Sequence, residues 1–261
     1  MPKKSKEHEE FKRRLVYAPA ETYQKEAKEL AAHLGWPFIE KAEDIREDDL
    51  YLCLEEGGLS LQGGGLCLQG DFTKLKKRLH PANLSHEFLV RAAKIKHAAT
   101  PLVAVDATAG LGEDAILLAA AGYEVYLFEY NPVIAALLKD ALKRAAEDEN
   151  LKDIVKRMHF TEGDSIEGLA KLPIRPDVIL LDPMFPARQK SAQVKRKFQL
   201  LHALEMPCAN EEELYLAARG AKPRKILVKR PLKGPCLADI KPDYSYTGKA
   251  IRYDCLLVRP E

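Results

Sequence analysis

The feature that most constrains the fold of this chain is a short apolar segment that ends in prolines. Val178–Leu181 is a continuous apolar run, which is typical of a strand buried on both faces of a sheet. Asp182 and Pro183 follow directly, and Pro186 comes soon after. Because proline fixes φ and has no backbone donor, the strand cannot continue. The pattern predicts a buried strand whose carboxyl end presents a carboxylate and, at Phe185, an aromatic ring on which a planar substrate could stack. The alternative is a turn that only ends the strand, with Phe185 in the core.

The region from residue 102 onward alternates apolar strands with helical spacing. Predicted strands cover residues 102–106, 124–129, 158–160, 178–181 and 225–229. Predicted helices cover residues 113–121, 132–146 and 192–218, the last with a break near Pro207, and residues 244–246 and 251–258 predict a closing antiparallel hairpin. Such alternation is typical of a parallel, doubly wound α/β sheet. Ligands of these sheets bind outside the carboxyl ends of the strands.

Residues 1–80 predict a small N-terminal α+β domain with a charged tail. A helix over residues 21–34 is expected to stop at Gly35, and residues 50–68 change to a period of two with glycine-rich turns, which predicts hairpins. We place the boundary at residue 80, so that residues 81–261 form the second domain. Within it, Ser85 is expected to cap the helix that contains Phe88.

Composition excludes several protein classes. The chain is 46% hydrophobic and 31% charged with a net charge of +2, which is ordinary for a globular protein. No apolar run approaches the length of a membrane span, and no apolar segment follows the basic N-terminus as in a signal peptide. The five cysteines form no Cys-x-x-Cys pair, so we predict no metal site and no disulfide framework. A cytoplasmic protein is expected.

A glycine-rich loop follows the first strand of the second domain. Gly110, Gly112 and Ala115 match the spacing of nucleotide-binding loops between a strand and a helix. Glycines let the backbone approach a ligand, and a helix N-terminus offers unpaired N–H groups. Glu129, at the end of the next predicted strand, can accept both hydroxyls of a ribose. The pattern suits NAD and S-adenosylmethionine (SAM) about equally.

Acidic residues beside the loop favour SAM. Glu113 and Asp114 would repel a pyrophosphate but attract a sulfonium and an amino group. The alternative is that both carboxylates only stabilise the helix dipole. Asp164 and Ser165 follow the third strand, where Asp164 can accept from the adenine amino group. The alternative there is that one of them simply caps the next helix.

Taken in strand order, these features resemble the class I SAM-dependent methyltransferases. Residues 182–185, Asp-Pro-Met-Phe, are similar to the Asp/Asn-Pro-Pro-Tyr/Phe motif of enzymes that methylate planar or amide nitrogens. Five segments together resemble the bacterial 16S ribosomal RNA guanine-N2 methyltransferase family known as RsmJ; they are residues 106–112, 129–132, 181–186, 189–192 and 228–231. The resemblance covers roughly residues 50–258. It implies a Rossmann-like methyltransferase sheet.

The resemblance also implies a cofactor, a substrate and site residues. SAM would donate a methyl group to the exocyclic N2 of a guanosine in 16S rRNA, either free or in the small ribosomal subunit. In that family, SAM contacts fall at positions matching Glu113, Asp114, Glu129, Tyr130, Asp164, Ser165 and Asp182. Together with Asp106, Gly110 and Gly112 of the loop after the first strand, these are the positions expected to bind the cofactor. The chain departs from the family at Glu113, where an arginine is usual, and at residues 78–85, where a glycine-rich, arginine-containing stretch is usual. Residues 78–85 adjoin a basic cluster and could touch RNA.

The expected chemistry centres on Asp182, Pro183 and Phe185. The N2 of guanine is a poor nucleophile because its lone pair is delocalised into the ring. Acceptors at the Asp182 carboxylate and the Pro183 carbonyl would draw the N2 hydrogens, and in-line positioning against the SAM methyl would supply much of the rest. Phe185 would stack on the base, worth about 1–3 kcal/mol.

Basic residues near the motif predict RNA contact. The expected set is Arg188, Lys190, Lys195, Arg196, Lys197, Lys229 and Arg230. The alternative is an ordinary solvated face.

Rival functions are methylation of another RNA or DNA base, a non-catalytic RNA-binding or assembly protein, and an NAD-dependent oxidoreductase. The last would need a catalytic His, Lys or Tyr near the pocket, and none is obvious. The sequence gives neither the nucleotide position nor the oligomeric state.

Overall fold

A computed structural model describes residues 11–96, 100–183, 200, 204 and 210–259. The chain divides into two compact units, residues 1–70 with 188–206 and residues 71–187 with 207–261. Residues 71–80 group with the second unit rather than the first, because Phe72, Leu75 and Leu79 are buried in its core. The boundary at residue 80 between two independently folding domains stays a prediction.

The first unit contains a five-stranded sheet and one long helix. Its elements are β1 (Arg13–Tyr17), α1 (Glu21–Leu34), β2 (Phe38–Ile39), a 3-10 turn (Ala42–Asp44), β3 (Asp49–Glu55), β4 (Gly58–Gly63) and β5 (Leu66–Leu68). The strand order is β2-β1-β3-β4-β5. The predicted hairpins are confirmed, since β3, β4 and β5 pair antiparallel in sequence. Gly35 ends α1 at φ 65°, as expected of a C-terminal glycine.

The second unit is a seven-stranded sheet with helices on both faces. Its strands are β6 (Val103–Asp106), β7 (Glu124–Glu129), β8 (Met158–Glu162), β9 (Val178–Leu181), β10 (Lys225–Pro231), β11 (Tyr244–Thr247) and β12 (Ile251–Leu257). Its helices are α2 (Lys76–Leu79), α3 (Pro81–Leu84), α4 (Phe88–Ala93), α5 (Glu113–Ala120), α6 (Pro132–Glu147), α7 (Lys152–Val155), α8 (Ser165–Ala170) and α9 (Glu211–Gly220), with 3-10 turns at Phe72–Leu75 and Leu237–Asp239.

The strand order β11-β12-β10-β9-β6-β7-β8 confirms the doubly wound sheet. Strands β8, β7, β6, β9 and β10 are parallel neighbours, and β12 runs antiparallel to both β10 and β11. From β6 the chain moves outward to β7 and β8, then returns to β9 on the other side of β6. The direction reverses between β6 and β9, and sheets of this kind bind ligands at such a point, outside the carboxyl ends of the strands.

Two predictions for the helices need correction or fall outside the described residues. Ser85 does not cap α4, because Pro81 starts a separate short helix, α3, and Ser85 lies at its C-terminal end. Glu87 is the residue before α4, and it forms an ion pair with Arg78. Of the helix expected over residues 192–218, α9 is observed, and residues 184–199 lie outside the described part of the chain. In the described chain, no helix has the length and apolar character needed to cross a membrane.

Candidate active site

The loop between β6 and α5 requires its glycines. Gly110 and Gly112 have φ values of 55° and 75°, a region that favours glycine. A Cβ on Gly112 would lie 2.8 Å from Leu138 Cδ1 and 3.2 Å from Phe72 Cζ. The Gly112 N–H donates to the Ala109 carbonyl, which closes the turn before α5. Gly112 is therefore needed for close packing at the start of α5, whereas a Cβ on Gly110 would meet nothing within 4 Å, which leaves that part of the loop backbone open.

Glu129 locks this loop to the end of β7. Its Oε2 accepts the Gly110 N–H at 2.8 Å, and its Oε1 accepts the Asn131 N–H at 2.8 Å. Burial raises the pKa of Glu129, while these two backbone donors lower it in part. Each carboxylate oxygen keeps a second lone pair for another donor. Beside it, the Tyr130 side chain is 67% exposed, so a carboxylate and an open aromatic ring stand together at the end of β7.

Asp106 is a buried carboxyl at the end of β6. Its side chain is 2% exposed, and its Oδ1 accepts the Thr108 N–H at 3.2 Å. Burial, reinforced by the charge of Asp114, raises the pKa of Asp106 to about 8. The hydrogen bond from Thr108 offsets this only in part. At neutral pH the group is mostly protonated and can become charged when a cation arrives.

Lys229 holds two carboxylates at the centre of the site. Its Nζ lies 2.6 Å from Asp114 Oδ2 and 3.0 Å from Asp182 Oδ2. The pairing of Val228 with Leu181 brings the next residues, Lys229 and Asp182, side by side. Burial lowers the pKa of Lys229, but the two carboxylates raise it by more, so Lys229 stays charged. The first turn of α5 is thus tied to the ends of β9 and β10.

The loop after β9 is fixed through Thr108. The Asp182 N–H donates to Thr108 Oγ1 at 2.6 Å. The Asp182 side chain is 36% exposed, so it is open to a ligand. Burial of the carboxyl raises the pKa of Asp182, Lys229 lowers it and Asp114 raises it again, with a net shift upward. The predicted catalytic residue Asp182 therefore stands beside the predicted cofactor residues Asp106 and Asp114.

The other predicted cofactor residues lie around this centre. Glu113 is exposed in the first turn of α5. Asp164 Oδ1 accepts the Ile166 N–H at 2.8 Å and caps α8, and Ser165 is the buried first residue of that helix. The capping alternative is thus observed for Asp164. A contact between Asp164 and adenine stays a prediction.

The structure corrects the RNA-binding role predicted for Arg230. Its side chain is buried, and its Nη2 lies 3.2 Å from Glu211 Oε2. A buried, ion-paired guanidinium offers no surface to RNA. The neighbouring Lys229 is engaged by carboxylates in the site and not displayed on an outer face. The remaining predicted residues lie outside the described part of the chain; they are Phe185, Arg188, Lys190, Lys195, Arg196 and Lys197.

Two site residues were not predicted from the sequence. Thr108 is the acceptor that fixes the loop after β9. Tyr253, on β12, pairs in register with Lys229 and is buried. Burial raises the pKa of Tyr253, and the charges of Asp114 and Asp182 add to the effect. Only the β10–β12 register could have found Tyr253. No cluster of His, Cys, Asp or Glu suited to a metal occurs among the described residues.

Comparison with known proteins identifies a family model, relatives and a solved structure that this chain resembles. Residues 42–258 match the family model described as putative SAM-dependent methyltransferase. A ribosomal RNA small subunit methyltransferase J from Thioalkalivibrio sulfidiphilus is 40% identical over 243 residues, covering 90% of this chain and 94% of the relative. Its counterpart from Marinobacter nauticus is 37% identical over 242 residues, covering 89% and 87%. The crystal structure of a SAM-dependent methyltransferase from Neisseria gonorrhoeae superposes with a TM-score of 0.71 at 29% identity, covering 94% and 96%.

Proposed function

This chain belongs to the ribosomal RNA small subunit methyltransferase J family, and we propose that it methylates the exocyclic N2 of a guanosine in 16S rRNA. Its methyl donor is SAM. The observation that carries the proposal is the position of Asp182. This partly exposed carboxylate lies at the carboxyl end of β9 and is joined through Lys229 to Asp114 at the start of α5. The carboxylate proposed to accept a hydrogen bond from N2 therefore lies next to the proposed cofactor site.

The charges of the cluster fit SAM. The methionine part of SAM carries a sulfonium, an ammonium and a carboxylate. The site offers three carboxyl groups, on Asp106, Asp114 and Asp182, around the single ammonium of Lys229. Asp106 and Asp114 would attract the two cationic groups, and Lys229 would bind the carboxylate. The pyrophosphate of NAD, which carries only negative charge here, would be repelled.

The end of β7 would hold the adenosine part. The lone pairs left on the Glu129 oxygens would accept the ribose hydroxyls, because Gly110 and Asn131 already fix the orientation of that carboxylate. The exposed Tyr130 ring lies next in the chain and would cover one face of the adenine. Asp164, exposed at the start of α8, would accept from the adenine amino group.

The target nitrogen would lie beside Asp182 and Pro183. SAM would supply the methyl group from its sulfonium, whose bond electrons would stay on sulfur, and the N2 lone pair would form the new N–C bond. The Asp182 carboxylate and the Pro183 carbonyl would accept hydrogen bonds from the N2 amino group and so localise that lone pair on nitrogen. The methylated N2 then loses a proton to the Asp182 carboxylate, whose raised pKa suits a proton acceptor. Phe185 would stack on the guanine.

The proposed partner is 16S rRNA, free or in the small subunit, and the proposed location is the cytoplasm. The test is mass spectrometry of nucleosides from 16S rRNA of a strain that lacks this gene. We expect N2-methylguanosine to fall by one residue per 16S molecule and to return with the gene restored on a plasmid. An unchanged nucleoside profile, or loss of a different methylated nucleoside, would contradict the proposal.

A further inference from the structure

The segment that contains α2, α3 and α4 is strongly basic. Residues 76–96 include six lysines or arginines and one acidic residue, Glu87. Both Glu87 oxygens accept hydrogen bonds from Arg78, at 2.8 Å each. The remaining positive charge of the segment is therefore not balanced from within it, although the whole chain is nearly neutral at +2.

Several of these cations are exposed and available. Lys77, Lys94 and Lys96 are exposed, and no ion pair engages them within the described ranges. By contrast, Lys76 lies 2.7 Å from Asp148 Oδ2. A group of unpaired surface ammonium groups supplies the positive charge that a nucleic-acid contact requires.

Aromatic rings accompany these charges. Phe88 is 40% exposed at the start of α4, and Tyr244 is 38% exposed on the edge strand β11. The Arg91 guanidinium lies 5.8 Å from the centre of the Phe88 ring and 5.9 Å from that of Tyr246. Tyr244 and Tyr246 contact each other edge to face at 5.9 Å. Exposed rings interleaved with cations provide stacking faces for unpaired bases as well as charge for phosphates.

One end of this surface lies near the active site. Phe88 is beside Gly248, at the carboxyl end of β10, whereas the Lys94 carbonyl accepts from Lys225 at the amino end of that strand. Helix α4 packs against β10, β11, β12 and α5, and α5 carries Asp114 in its first turn. Arg78 is also close to the site: its pKa is raised first by Glu87 and then by the charges of Asp114 and Glu113. A strand of RNA on this surface could therefore continue into the site without leaving the second unit.

We propose that an unpaired segment of the substrate RNA binds a surface formed by Lys77, Phe88, Arg91, Lys94, Lys96 and Tyr244, the α4 surface. The lysines contact phosphates, and Phe88 stacks on a base. This inference rests on the proposed function and adds the surface on which the substrate RNA is held. It extends the sequence prediction that residues 78–85 could touch RNA, and it differs from the prediction that placed RNA on the loop after residue 187 and on Lys229 and Arg230.

The first test removes charge from the α4 surface. The variant carries Lys77→Gln, Lys94→Gln and Lys96→Gln. Its control carries Lys139→Gln, Lys156→Gln and Lys171→Gln, which remove the same charge from exposed positions on α6 and after α7 and α8. The probe is 16S rRNA transcribed in vitro, titrated at several salt concentrations. We expect binding at least tenfold weaker than in the control and a salt slope smaller by roughly 0.7–0.9 per lost phosphate contact.

The second test removes the stacking face. Phe88→Leu keeps an apolar side chain beside Gly248, where a Cβ would lie 3.5 Å from Phe88 Cε2. We expect RNA binding weaker by about fivefold or more with an unchanged salt slope, because stacking carries no charge. SAM affinity, measured by calorimetry, should match the wild type in every variant and so reports that the fold is intact.

The outcomes separate this inference from the proposed function. Equal weakening in the α4 variant and its control would overturn the α4 surface. Weaker binding of the α4 variant to 30S subunits but not to free rRNA would also overturn it, because that result would mean that the surface contacts a ribosomal protein. If the wild type binds rRNA through this surface but produces no N2-methylguanosine, the proposed function fails and the surface stands. If N2-methylguanosine forms and the α4 variant binds and methylates like the wild type, the surface alone fails.

Discussion

The Lys229 ammonium lies 3.0 Å from the Asp182 carboxylate. The contact joins the carboxyl ends of two neighbouring strands, β9 and β10, whose register aligns Leu181 with Val228. It brings the predicted target-base residue together with a lysine that the sequence had suggested for RNA. Lys229 is therefore expected to act inside the cofactor pocket.

Replacing Lys229 with methionine tests this role. Without the ammonium, Asp114 and Asp182 lose their shared partner and the SAM carboxylate loses its proposed donor. We expect SAM binding to weaken by about 10- to 100-fold, which corresponds to one hydrogen bond to a charged group. Calorimetry measures this, with the exposed Lys233→Met as the matched control. If Lys229→Met instead keeps SAM affinity and lowers the salt slope of RNA binding, Lys229 belongs to the RNA surface.

Replacing Glu129 with alanine tests the ribose site. The variant loses two proposed hydrogen bonds to the ribose and frees the Gly110 N–H that orders the loop. We expect SAM affinity to fall by one or two orders of magnitude. Glu124→Ala, at the opposite end of β7, is the control and should bind SAM normally. Wild-type SAM affinity in Glu129→Ala would remove this residue from the cofactor site.

Proton release on cofactor binding tests the state of Asp106. Its pKa of about 8 means that the carboxyl is mostly protonated at pH 7. The positive groups of SAM favour the ionised form and lower this pKa, so binding at pH 7 should release protons to the buffer. Near pH 9.5 the group is already ionised and the release should vanish. Calorimetry in buffers of different ionisation enthalpy measures the number of protons.

Two comparisons test whether the released protons come from Asp106. S-adenosylhomocysteine lacks the sulfonium charge, so it should release fewer protons than SAM at pH 7. Asp106→Asn mimics the protonated carboxyl in shape and cannot ionise, so its release should largely disappear. Equal release from Asp106→Asn and the wild type would assign the proton to another group, with Asp182 the next to test.

The strand ends were predictable from the sequence. Apolar runs that stop at a polar residue located Asp106, Glu129 and Asp182, because the carboxyl ends of parallel strands meet at one edge of a sheet. The doubly wound sheet and the closing hairpin followed from the same periodicity, and both are confirmed. In these places the local pattern determines the position of the residue in the fold.

The partners across the sheet were not predictable. Lys229 and Arg230 are adjacent in sequence, but successive strand residues point to opposite faces, so one enters the acidic cluster and the other is buried against Glu211. Tyr253 reaches Lys229 only through the antiparallel register of β10 and β12. Sequence shows that two charges are neighbours, but it does not show which charges lie opposite them.

Identification of the product made by the purified chain tests the proposed function and the role of Asp182 together. Unmodified 16S rRNA and 30S subunits are incubated with labelled SAM under single-turnover conditions, and the nucleosides are identified by mass spectrometry. We expect N2-methylguanosine from the wild type and a strongly reduced rate from Asp182→Ala, with SAM affinity lowered only modestly. Absence of N2-methylguanosine from the wild-type reactions would contradict the proposed function, and its formation by Asp182→Ala at the wild-type rate would contradict the role of Asp182.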